Sequence, residues 1–184
     1  PCPRNRTLWA LIGGGGLRQS EGLAVPLDLV DCELQSVRVQ DPNDLRGASK
    51  YSPPEKLRWK GRETASVYIL PFIRKTFFDS YLEYLKIRPI SNSDFVFLKF
   101  DDKTYGDPLL NARYQTLNDT FRAAQKRIGM TTLYTLHALR HMYGVYMKNY
   151  FPNPYTGELG LPLEDVQTLM GHADIESTKT YAKN

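Results

Sequence analysis

A chain of 184 residues is long enough to bury a core as one ordinary domain without disulfides or a structural metal. Its 24 Lys+Arg against 20 Asp+Glu leave a net charge of +4, an excess that admits a polyanionic partner without requiring one. Only Cys2 and Cys32 are present, in no Cys-x-x-Cys arrangement, which argues against a disulfide-stapled secreted domain. No run approaches the ~20 apolar residues of a bilayer span, and the opening residues lead into no secretory apolar segment. The expected setting is soluble, cytoplasmic and away from membranes. Residues 1–184 read as a single domain, and a start at Pro1 that runs almost at once into an apolar segment points to a piece of a longer protein.

In chain order, the apolar segment Thr7 to Ile12 predicts a helix that ends at Gly13-Gly14-Gly15-Gly16, since each glycine inside a helix costs ~1 kcal/mol against alanine. A short helix resumes at Leu17 and stops before Pro26. Alternation around Val37 and Val39, and around Val67 and Ile69, predicts short strands, with Leu57 to Lys60 as partner of the second. Asp41 to Pro54 is rich in turn residues and reads as a loop. After Pro71 the positions Ile73, Phe77, Tyr81, Tyr84 and Leu85 follow the spacing of one helical face and predict a long helix. A short apolar run follows at Asp94 to Phe100. The next helix carries Leu117, Phe121, Ala124 and Ile128 and closes at Gly129.

Thr135 is positioned to cap a helix whose inner face holds Leu139, Tyr143, Tyr146 and Met147. Pro152 to Gly160 is a loop, and Pro162 opens a helix with Val166, Leu169 and Met170 that stops at Gly171. Asp174 caps a last helix that carries Tyr181. The sum is an α+β fold, mainly α-helical with a small antiparallel β-sheet.

All three histidines, His137, His141 and His172, fall in the last third. His137 and His141 are four apart, the spacing of a His-Glu-x-x-His zinc site, but the intervening residues are Ala138, Leu139 and Arg140. No acid is available as general base, and the arginine would repel a cation. Zinc is therefore not expected at this pair. Arg140, three residues after His137, reaches the same side of the helix. A guanidinium fork beside an imidazole suits an oxyanion such as phosphate, although a surface arginine beside a satisfied histidine would look the same in isolation.

Downstream, Leu169-Met170-Gly171-His172 ends a helix, and Ser177-Thr178-Lys179-Thr180-Tyr181 follows. Together with His137-x-x-Arg140-His141, these segments resemble the C-terminal signature of tyrosine recombinases, the phage-integrase kind of DNA strand-exchange enzyme. Gly16-Leu17-Arg18-Gln19-Ser20-Glu21 resembles the family's first-arginine motif, and Lys60-Gly61 resembles the start of its lysine-bearing turn. The likeness runs from about Trp9 to the end of the sequence.

The resemblance implies a tyrosine recombinase catalytic domain, with an upstream DNA-binding domain missing from these residues. Arg18 and Arg140 would clamp the scissile phosphate, and His137 and His172 would donate to it or handle protons. Lys60 would protonate the leaving 5′-oxygen, with Lys50 and Lys56 as alternatives, and Tyr181 would attack. It also implies double-stranded DNA as substrate, other recombinase subunits in a tetrameric synapse as partners, and no cofactor. The run Tyr150 to Gly160 makes the segment between Arg140 and His172 longer than the family usually has, which reads as an insertion. Two other readings stay open. A type IB topoisomerase shares the chemistry, and an inactive DNA-binding accessory protein would share the fold.

Overall fold

The computed structural model describes residues 2–44, 59, 62 and 64–181. The first helix, α1 (Pro3–Gly15), does not stop where helix propensity says it should. It runs through Gly13, Gly14 and Gly15 and ends only at Gly16, whose φ of 62° is the left-handed conformation of a helix stop. The reason lies in packing. A Cβ on Gly14 would come within 2.7 Å of the Ile73 side chain, and one on Gly15 within 2.5 Å of Val67. Bare backbone lets α1 press directly onto the elements beneath it, and the Gly14 carbonyl accepts the Leu70 N–H at 2.8 Å. Burial of the neighbouring Leu8, Leu11 and Ile12 offsets the poor propensity.

Next comes the short α2 (Gln19–Leu23), followed by a three-stranded antiparallel sheet in the order β1-β2-β3. Its strands are β1 (Val30–Asp31), β2 (Ser36–Arg38) and β3 (Ser66–Val67). Val37 sits at the centre, opposite Val30 on one side and Val67 on the other. The expected β2 and β3 are therefore present and pair with each other, and β1 is an addition that alternation did not reveal in so short a segment. Of the partner strand expected at Leu57 to Lys60 only Trp59 is among the described residues, and it is in no strand; the rest of that span and most of the loop expected from Asp41 to Pro54 lie outside them.

The long α3 (Pro71–Ile87) forms as its spacing predicts, with Phe77, Tyr81 and Tyr84 buried and Leu85 left at the edge. It lies along α1. The apolar run after it forms no regular strand. Phe95, Val96, Phe97 and Leu98 are buried as an irregular ribbon, held by the Tyr84 hydroxyl, which donates to the Val96 carbonyl and accepts from the Leu98 N–H. Arg88 donates to the carbonyls of Ser93, Phe95 and Val96. These bonds satisfy backbone groups that a sheet would otherwise pair.

Helices α4 (Tyr114–Arg127), α5 (Leu136–Asn149), α6 (Leu163–Met170) and α7 (Glu176–Lys179) complete the chain. Thr135 is the first residue before α5, but its side chain makes no capping bond. Instead the Asn118 side chain accepts the Leu136 N–H from across the core. The Tyr150 to Gly160 segment folds back on itself. Asn153 N–H donates to the Glu158 carbonyl, and Gly160 N–H to that of Phe151. Asp174, expected to cap α7, lies one residue before the N-cap, which is Ile175 and makes no side-chain capping bond; the Asp174 carboxylate accepts the Glu176 N–H. Tyr181 follows the helix in a turn instead of riding on it. Among the described residues no helix is long and apolar enough to cross a membrane.

Two apolar clusters result. The larger is built on α1, α3 and the sheet, and the smaller on Leu70, Tyr143, Met147, Leu161, Val166 and Met170, with Tyr181 packed among them. Polar side chains held between the two clusters form the site.

Candidate active site

The centre of the site is one carboxylate. Glu21, only 1 % exposed, lies on α2, and three arginines from distant parts of the chain converge on it. Arg18 donates to Oε1 at 2.5 Å through its side chain and to Oε2 at 2.8 Å through its backbone N–H. Nη1 of Arg140 lies 3.5 Å from Oε2, and Nη1 of Arg62 lies 3.7 Å away. Three guanidinium charges thus face one carboxylate, and the surplus is positive.

The remaining bonds of these arginines go to backbone. Helix α6 ends with unpaired carbonyls, the negative end of its dipole. Arg62 donates to Leu169 at 2.8 Å and Met170 at 3.1 Å, Arg140 to Met170 at 2.9 Å, and Arg18 to Gly171 at 3.3 Å. Arg140 also donates to the Gly16 carbonyl at 2.5 Å, the point where α1 stops. Burial lowers the Arg140 pKa to about 10, opposed in part by Glu21, so it remains charged at neutral pH. Arg18 is the most open of the three, with 21 % of its side chain exposed.

Gly171 ends α6 in the left-handed conformation, with its N–H on the Thr168 carbonyl and the His172 N–H on that of Gln167. This paired stop turns the chain so that His172 faces the arginines. Its Nδ1 is 2.8 Å from the Thr178 hydroxyl, and its ring is stacked on Tyr181 with centroids 6.0 Å apart. Burial, then Arg140, Arg18 and Arg62, lower its pKa to about 4.

This imidazole is therefore neutral at pH 7 in the free protein. Its folded pKa lies below the ordinary 6.5, so the unfolded chain binds the proton more readily. Stability should be flat above pH 6.5 with respect to this group and fall as pH drops from about 6.5 towards 4. In an NMR titration without DNA, the His172 ring should respond near pH 4, and a midpoint at an ordinary histidine value would refute the burial account.

Tyr181 is 5 % exposed. Its ring rests on Gly144, where a Cβ would come within 2.9 Å of the ring and 2.8 Å of the Met170 sulfur. Burial raises the phenol pKa, while the Arg140 charge, a hydrogen bond from Arg140 and the charge of Arg18 pull it back down. The His141 ring also packs against it, tilted, with centroids 5.1 Å apart.

Of the residues expected from sequence, Arg18, Arg140, His172 and Tyr181 are brought into one cluster. His137 is exposed on α5, where it lines with Arg18, Gln19 and Tyr114 a cavity of about 430 Å³ beside that cluster. Lys60, with its alternatives Lys50 and Lys56, lies outside the described residues. Sequence reasoning missed Arg62 and gave Glu21 no role of its own. Glu21 stands in the Gly-Leu-Arg-x-Ser-Glu motif, and an acid three residues after an arginine on a short helix was the available signal. Arg62 carried none. Among the described residues no group of three or more His, Cys, Asp or Glu is placed to hold a metal ion.

The phage integrase family model matches residues 3–184, and the chain belongs to that family. No curated protein matches it. Among solved structures it is similar to the XerA recombinase, at 17 % identity and a TM-score of 0.65 over 99 % of this chain and 52 % of that one. It is similar also to the Tn1549 transposon integrase in complex with circular intermediate DNA, at 19 % identity and a TM-score of 0.66 over 98 % and 54 %. A third is the XerH site-specific recombinase in a post-cleavage complex with palindromic difH substrate, at 19 % and 0.61 over 98 % and 42 %. At these identities the likeness is one of fold, and the chain spans about half the length of the structures it matches.

Proposed function

We propose that this chain is the catalytic domain of a site-specific DNA recombinase, cleaving and rejoining strands through a 3′-phosphotyrosyl intermediate. The observation that carries the reading is the buried Tyr181 phenol set against Arg140 and stacked on His172, inside a cluster with surplus positive charge. A structural tyrosine needs one hydrogen-bond partner, whereas a nucleophile attacking an anion needs the surplus of positive charge found here.

The chemistry is a transesterification. The Tyr181 oxygen bonds to phosphorus, the bond from phosphorus to the 5′-oxygen breaks, and the leaving 5′-oxygen takes a proton. The phenol gives its proton to a nearby base. Reversal with a different 5′-hydroxyl joins new strands, and one phosphoester replaces another, so no external energy source is consumed. Arg18 and Arg140 neutralise the charge that grows on the nonbridging oxygens. A preorganised donor of this kind contributes ~3–4 kcal/mol by analogy with oxyanion-hole deletions. His172, neutral until the phosphate arrives, can hold or pass a proton once the anion offsets the arginine charges. His137, which lines the cavity beside Arg18, is assigned to the same phosphate, and Lys60 is assigned the proton for the leaving oxygen, both on their sequence motifs.

Double-stranded DNA is the substrate in this reading, with further subunits assembled on it as a tetramer, and an intracellular place of work follows from that substrate. That several of the similar structures are complexes with DNA supports it. The partial coverage of those chains supports reading this one as a domain of a longer enzyme.

The test is to trap the intermediate. On a duplex nicked so that the 5′-hydroxyl fragment diffuses away, the protein should accumulate as a covalent adduct, in EDTA as well as without it. Cleavage that leaves no adduct, or that EDTA stops and magnesium or zinc restores, would overturn the proposal.

A further inference from the structure

Arg62 is the one member of the arginine cluster that the chemistry above leaves unused. Its side chain is fully buried, so it cannot meet a phosphate on the surface. Each of its three nitrogens instead donates to the protein. Nε donates to the Thr64 carbonyl at 2.8 Å, Nη1 to Met170 and Nη2 to Leu169, and Nη1 also faces Glu21. Thr64 adds a bond from its hydroxyl to the Thr168 carbonyl. The stem of Arg62 also packs against Gly171, where a Cβ would come within 3.0 Å of its Cδ.

Those partners share a property. Met170 and Leu169 precede the turn that presents His172, the Met170 carbonyl is a shared acceptor with Arg140, and the Glu21 carboxylate is shared with Arg18 and Arg140. An arginine that fills this place fixes the end of α6 in both position and rotation, because a planar fork engages two successive carbonyls at once.

We propose that Arg62 is a positioning residue: its guanidinium holds the C-terminal end of α6 against Glu21, and through them keeps His172 and Arg140 at the angles in which they meet the phosphate. The proposal rests on the recombinase reading of the same site. Burying a third cation beside Arg18 and Arg140 is costly, and a neutral side chain would fill the space with less strain. The bonds to the α6 carbonyls and to Glu21 are what the cation adds.

The test uses the full chain with Arg62→Met, which keeps the stem and removes the fork, and Arg62→Lys, which keeps the charge and loses the two-carbonyl grip. Three quantities are read: DNA affinity, the rate of adduct formation at saturating DNA, and the His172 titration by NMR in the absence of DNA. A misplacement of about 1 Å can cost on the order of 100-fold in rate. Arg62→Met should approach that loss with affinity unchanged, and Arg62→Lys should fall between it and the native protein. The His172 midpoint should move upward in the Met variant, since one of its three cationic neighbours is gone.

If the Met variant does not fold, the Lys variant decides, and a native rate there overturns the proposal. Equal losses of rate and affinity would make Arg62 a DNA anchor, and an unmoved His172 midpoint would sever it from that ring; either result refutes the assignment. Should the native protein form no adduct at all, the recombinase reading fails, while the titration still judges Arg62.

Discussion

Tyr181→Phe is expected to abolish covalent attachment to DNA and leave the fold and DNA affinity nearly native. The substitution removes one oxygen from a ring held by Gly144, Met170, His141 and His172, and none of those contacts uses the oxygen. Arg140 loses one partner but keeps Gly16, Met170 and Glu21. One hydrogen bond among several is worth about 0.5–1.5 kcal/mol net, so melting should barely change. Cleavage has no such reserve. Without the phenolic oxygen there is no atom to bond to phosphorus, and the adduct band should vanish on nicked duplex at any protein concentration. An adduct formed by the Phe variant would remove Tyr181 from its assigned role.

Glu21→Gln is expected to cost more stability than any other conservative change in the site. The carboxylate is buried and faces three guanidinium groups, and glutamine keeps its shape but removes its charge. Breaking a buried ion pair by removing one partner costs about 3–5 kcal/mol, because the charges left behind are uncompensated. Here up to three are left. The midpoint of urea unfolding should fall accordingly, with its slope unchanged if the native state keeps its compactness. Sulfate should recover part of the loss in the variant and much less in the native protein, since an added anion supplies the missing negative charge. A midpoint equal to that of the native chain would mean that water or the α6 carbonyls already satisfy the arginines.

The elements that could be read in advance are those whose cause is local. The face of α3 is written in the spacing of Phe77, Tyr81 and Tyr84, and the stops at Gly129 and Gly171 follow from the left-handed φ that each adopts. The end of α1 was misread because glycine propensity is a local cost, whereas the gain that overrides it comes from Ile73 and Val67 more than fifty residues away.

The same distinction divides the site. Arg18, Arg140, His172 and Tyr181 sit in motifs with definite spacing and come together as expected. Arg62 finds its partners 107 and 108 residues away, and those partners are backbone carbonyls, which look alike at every position of a sequence. Glu21 could be seen as a helix residue, but its role as the common counter-charge depends on three arginines meeting in space.

The acceptors that hold the arginines, apart from Glu21 and the Tyr181 phenol, belong to the main chain of residues 16, 64, 169, 170 and 171. Replacing a side chain at Leu169 or Met170 exchanges its packing but cannot delete its carbonyl. The cradle is therefore insulated from most point mutations in its own lining, and its weak points are concentrated elsewhere: in Glu21, in the glycines that set the path of the backbone, and in insertions or deletions that would shift the end of α6. Genetic drift around the site should be permissive in chemistry and strict in length.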